Sequence, residues 1–159
     1  MRALLITALG ALVLAVVPAP ASAICIACSC DVTADPITFL PFNPLLTPTV
    51  NAAGVVHVSC VGVAGAFVDQ EVRMGPSART GTFAREMEKI GGARLPYNLY
   101  LDAGRTQVWT ETAPNTHIHN ITLGLLAFSY NVDVFAKIEN VGTAQPGAYT
   151  DTITVTLIY

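Results

Sequence analysis

The chain has 159 residues, of which 52% are hydrophobic and 12% charged, and its mean hydropathy is +0.53. Much of the apolar excess lies in residues 3 to 23, which follow a single basic Arg2 and close on Ala21-Ser22-Ala23; this is the layout of a secretory signal peptide cut after Ala23. The remaining 136 residues, 24–159, hold seven basic and eleven acidic side chains and no long apolar run. That is enough for one domain and too little for two, with no membrane helix and no basic footprint for nucleic acid or an anionic bilayer.

In chain order, β-branched and aromatic residues recur in short runs broken by Gly, Pro and Asn, so the sequence predicts an all-β chain. Strands are expected at Val32 to Phe39, Gly54 to Val63, Phe67 to Met74, Leu95 to Leu101, Thr116 to Leu123, Phe128 to Ile138 and Tyr149 to Tyr159. The segment Thr80 to Lys89 is left open, with room for one or two helical turns. In the last strand Ile153, Val155, Leu157 and Tyr159 alternate with Thr152, Thr154, Thr156 and Ile158, the pattern of a strand with one face packed and one face wet. Gly75-Pro76, Gly91-Gly92 and Pro146-Gly147 mark turns. Six or seven such strands suit an immunoglobulin-like β-sandwich.

Little in the sequence carries chemistry. His57, His117 and His119 are the neutral-pH acid-base candidates. His117 and His119 are two apart and share a strand face, so they are kept as candidate Cu(II) or Zn(II) ligands. They are two where a site normally needs three or four. No nucleophile elbow, H-E-x-x-H or P-loop occurs, and no enzyme activity or cofactor is expected. Four cysteines, Cys25, Cys28, Cys30 and Cys60, fall in the exported part, where disulfides form and three connectivities are open. Cys25-x-x-Cys28 has redox-pair spacing, but in an all-β exported chain it is read as structural. Asn120-Ile121-Thr122 matches a glycosylation sequon, meaningful only in a eukaryotic secreted protein.

Five pieces in order resemble one family. These are Cys30-x-Val32 with Ile37-x-Phe39-x-x-Phe42-Asn43-Pro44, then Val56-x-Val58-x-Cys60, Arg85-x-Met87, Leu95-x-Tyr97-x-Leu99-Tyr100-x-Asp102 with Trp109, and Pro146-Gly147-x-Tyr149-x-Asp151 with Val155 and Tyr159. Together they resemble the spore coat protein U family, subunits of archaic (Csu-type) chaperone-usher pili. Leu40 and Pro41 depart from the family's usual glycine after phenylalanine.

The resemblance implies a Cys30–Cys60 disulfide, leaving Cys25 and Cys28 for each other or for another chain. It also implies a sandwich lacking its last strand, with an apolar groove lined by Ile153, Val155, Leu157 and Tyr159. A periplasmic chaperone, then a neighbouring subunit delivered at the outer-membrane usher, would fill that groove by strand addition. The expected function is a structural or adhesive pilus subunit at the cell surface, serving attachment or biofilm. Ile24 to Ser29 is a short donor segment, so the subunit is expected at the fibre tip, with loops such as Phe42 to Val50 or Gly104 to His117 as the adhesive surface. The alternatives are a self-complete secreted or spore-coat protein and a small periplasmic metal-binding domain.

Overall fold

The computed structural model describes residues 28–46, 48–62, 69–121, 127–139 and 144–159. The expected signal peptide lies outside them, and so does Cys25 of the expected mature chain. Eight strands are formed: β1 (Cys28–Ala34), β2 (Thr49–Gly62), β3 (Gln70–Ser77), β4 (Arg85–Glu88), β5 (Arg94–Tyr100), β6 (His117–His119), β7 (Ala127–Glu139) and β8 (Ile153–Ile158). One sheet has the order β1-β2-β7-β5-β4 and the other β6-β3-β8, and all pairings are antiparallel. No helix occurs among the described residues. The all-β sandwich expected from the sequence is what forms.

The longest ladder joins β2 to β7, from Thr49 opposite Glu139 to Val61 opposite Ala127. On it Val56, Val58, Val132, Val134 and Ala136 face inward and are almost completely buried. They meet Val72 and Met74 of β3 and the indole of Trp109 in one core shared by both sheets. A second, smaller cluster gathers Val50, Met87, Leu95 and Ile138.

The differences from expectation have local causes. β1 starts earlier than Val32, because Cys28 to Cys30 pair with Gly62 to Cys60 beside the disulfide. It stops before Pro36, which has no N–H to give to a ladder. The open segment 80–89 makes no helix: its second half is β4, paired with β5. β6 is three residues long, and 122–126 are outside the described part.

In β3 the register slips between Met74 and Ser77, across Gly75-Pro76. Such a bulge leaves backbone carbonyls without ladder partners. Arg85, 1% exposed, fills the gap. Its Nη2 donates to the Gly75 and Trp109 carbonyls at 2.7 and 2.8 Å, and to Met74 at 3.3 Å. Nη1 donates to Asn98 Oδ1 at 2.7 Å. Burial lowers its pKa to about 10, which still leaves it cationic at neutral pH.

Candidate functional site: the cleft beside the last strand

β1 and β8 are the edge strands on one flank of the sandwich, and they touch across it. Beside them, between residues of the two sheets, lies a cleft of about 1050 Å³. One wall is the stretch after β1, which carries Ile37 and Phe39. The floor is Val56, Val134, Leu95, Leu99 and Ile138, and the other wall is Met74 with Ile153 and Val155 of β8.

Local sequence sets each wall. Gly54 faces inward on β2, and a Cβ there would lie 2.6 Å from Ile37 Cγ1, well inside contact distance. The absent side chain is what lets Ile37 settle over the strand. Phe39 then packs edge-on to Tyr97, with ring centroids 6.3 Å apart. On the opposite wall Glu88 and Thr150 exchange both backbone hydrogen bonds, so the chain leaves the five-stranded sheet just before β8 joins β3. Tyr97 and Asp151 meet at this crossing, the phenol donating to Asp151 Oδ2 at 2.9 Å. Burial, and then the bond to Asp151, push the Tyr97 hydroxyl well above the usual tyrosine range.

The alternation seen in the sequence of β8 is real: Ile153, Val155 and Leu157 are half-buried, while Thr154 and Thr156 are exposed. Of the four residues expected to line one groove, Ile153, Val155 and Leu157 all pack on the shared core; Ile153 and Val155 also line the cleft, Leu157 lies opposite Val72, and Tyr159 is 40% exposed beyond the strand end. Among the described residues β8 pairs only with β3.

Cys30 and Cys60 are joined in a disulfide directly across the β1–β2 ladder. The Gln70 amide, 1% exposed, bridges it: Nε2 lies 3.2 and 2.9 Å from the two sulfurs, and Oε1 accepts from the Tyr130 hydroxyl at 2.9 Å. Burial pushes the Tyr130 hydroxyl up to about 12. Cys28 is also disulfide-bonded.

His117 and His119 do share a face of β6, and it is the inner one. His119 stacks on Tyr130 at 3.7 Å, His117 lies 6.2 Å from Trp109, and the intervening Ile118 is the exposed residue. No group of three or more potential metal ligands occurs among the described residues. His57 is on the outer surface, with Nδ1 2.8 Å from Asn131 Oδ1 and Nε2 3.2 Å from Asp35 Oδ2.

Sequence reasoning gave no role to Gln70, Arg85, Tyr97 or Asp151. Tyr97 and Asp151 stood in two of the quoted motif pieces, and only the fold shows that those pieces meet.

No curated protein matches the chain. Among solved structures it is similar to the CsuC-CsuE chaperone–tip adhesion subunit pre-assembly complex from archaic chaperone-usher Csu pili of Acinetobacter baumannii. The identity is 18% and the TM-score 0.57, over 83% of this chain and 40% of that one. A chaperone–tip adhesin complex of CFA/I fimbriae biogenesis gives 17% identity and a TM-score of 0.45, over 77% and 38%. The chain therefore spans about two fifths of the length of either. Residues 17–156 match the Spore Coat Protein U domain, and a match over that much of the sequence makes the chain a member of the Spore Coat Protein U domain family.

Proposed function

We propose that the chain is a structural or adhesive subunit of a chaperone-usher pilus, exported by its N-terminal segment, with residues 24–159 as the mature domain. It acts by accepting an extended segment along β8 rather than by catalysis. The observation that carries this reading is the coincidence of an apolar cleft with a strand edge that has no ladder partner among the described residues. Backbone groups on the edge give an incoming strand its affinity, and Ile153, Val155, Met74 and Phe39 give it pockets for alternate side chains. The first occupant is a periplasmic chaperone; at the outer-membrane usher a neighbouring subunit replaces it. The similarity to a chaperone–subunit complex supports the same reading.

The adhesive part of the proposal falls on the loop before β2. There Asn43 accepts from Leu45 N through its side chain and from Leu46 N through its carbonyl. This tight turn holds Leu45 and Leu46 outward, 87% and 79% exposed. Apolar side chains so exposed on a fixed turn suit contact with an apolar surface. Immunogold labelling tests the tip position: gold at fibre ends is expected, and gold along the shaft removes it.

Co-purification with a co-expressed periplasmic pilus chaperone tests the central claim. The chain expressed alone is expected to aggregate or be degraded, because an open sheet edge pairs with other chains. Val155→Asp is expected to abolish recovery of the complex, and Thr154→Asp, on the wet face, to preserve it. A stable monomer that ignores the chaperone would overturn the proposal.

A further inference from the structure

The cleft is not uniformly apolar, and its polarity has one sign. The charged side chains that line it are Asp35 and Asp151. Asp35 is already engaged, 3.2 Å from His57 Nε2. Asp151 is in no ion pair among the described residues. Its Oδ2 accepts from the Tyr97 hydroxyl and its Oδ1 from Thr152 N at 2.8 Å, which leaves each oxygen with further acceptor capacity. The cations of the region make their hydrogen bonds elsewhere, although the Arg85 charge still feels that of Asp151. Arg85 donates to the Gly75, Met74 and Trp109 carbonyls and to Asn98, and Lys89 Nζ donates to the Pro146 carbonyl.

Asp151 stands just before β8, where the chain crosses from the Thr150 bridge to Ile153, and it lines the same cleft as Ile153 and Val155. A segment laid along the free edge of β8 sends every second side chain inward. Apolar ones fall beside Val155 and Ile153, and the next falls level with Asp151. Filling the cleft also strips water from that carboxylate, which is costly unless a donor replaces the water.

We propose that the docking segment carries a lysine or arginine at this inward position, two residues from the side chain that packs beside Ile153, and that this cation pairs with Asp151. The proposal rests on the reading of the cleft as a strand acceptor and adds the chemistry by which it selects its occupant. Charge complementarity at a point inside an apolar groove fixes register as well as affinity. An alternating apolar segment slipped by two residues would fill the pockets equally well but leave Asp151 unpaired.

The test uses the full exported chain, refolded with labelled synthetic peptides of about ten residues, a usual strand length. All have apolar residues at alternate positions, with lysine, alanine or glutamate placed in turn at each inward site. Fluorescence anisotropy is expected to show one site at which lysine binds about tenfold tighter than alanine and glutamate binds more weakly than alanine. That preference is expected to vanish in Asp151→Asn. If Asp151→Asn does not fold, acetyl-lysine at that site, which keeps the stem but not the charge, must bind the unaltered chain no better than alanine; equal binding of lysine and acetyl-lysine overturns the ion pair. Equal binding of lysine and alanine peptides at every inward site overturns the inference while leaving the strand-acceptor reading intact. Failure of every alternating peptide to bind overturns both.

Discussion

Arg85 Nη2 donates to the carbonyl of Trp109 at 2.8 Å, and Trp109 Nε1 in turn donates to the carbonyl of Val72 at 3.1 Å. Through these bonds the two most voluminous fully buried side chains hold the bulged strand β3 against the other sheet. Each buried carbonyl left without a donor costs about 1–3 kcal/mol. Arg85→Ala is therefore expected to lose on the order of 3–5 kcal/mol in urea unfolding of the complexed subunit, and Arg85→Lys to recover only part, because one ammonium cannot reproduce a planar fork.

The Cys30–Cys60 bridge spans 30 residues. In the chain-entropy view a loop of that length stabilises the fold by roughly 3–4 kcal/mol. A Cys30→Ala/Cys60→Ala chain is expected to unfold at correspondingly lower denaturant. Its Gln70 amide also loses both sulfur contacts, so hydrogen exchange at Gln70 and Tyr130 should accelerate with it.

His57 and His117 are expected to pull the pH dependence of stability in opposite directions. The bonds to Asn131, then Asp35, raise the His57 pKa above its ordinary 6.5. Its contribution is complete below 6.5 and is lost as pH rises through the raised value. Burial, then repulsion from His119, lowers the His117 pKa, so the unfolded chain takes up that proton first. Stability falls as pH drops below 6.5 toward the lowered value. Thermal scans between about pH 5 and 8, the histidine window, should show His57→Gln removing the loss on the alkaline side and His117→Gln removing the loss on the acid side.

Gly54→Ala sets two effects against each other. Alanine stiffens the unfolded chain, worth about 0.4–1 kcal/mol, but its Cβ would meet Ile37 at 2.6 Å, and overpacking typically costs about 1–3 kcal/mol. Net destabilisation is expected. Ile37→Ala in the same chain should relieve much of it, a non-additive pair readable in a double-mutant cycle.

The sequence carried the sandwich well where a local pattern was enough: β8 alternates as Ile153, Val155 and Leu157 against threonines. It left Thr80 to Lys89 open, since Arg85, Met87 and Glu88 gave no clear period; β4 is a strand because β5 and the Thr150 bridge supply its partners. Which residues of β8 reach the cleft was illegible for the same kind of reason. Val155 and Leu157 are chemically alike and both pack on the core, and only the segments folded opposite Val155 make it a cleft residue as well. His117 and His119 were placed on one face correctly, but an alternating H-x-H run does not reveal that the inner side belongs to the histidines and the outer to Ile118.

The β2–β7 ladder also governs the order in which the molecule can form. It places Val61 opposite Ala127 and Thr49 opposite Glu139, so the central pair of the larger sheet joins an early part of the chain to a late one. A polypeptide crossing a membrane from its N-terminus presents β1 and β2 long before β7 emerges. Long-range closure of this kind is slow. Until it happens, Val56 and Val58 stand on a strand that only β1 can pair with, and the interval before β7 arrives is when the chain is most exposed to proteolysis and to pairing with its own copies.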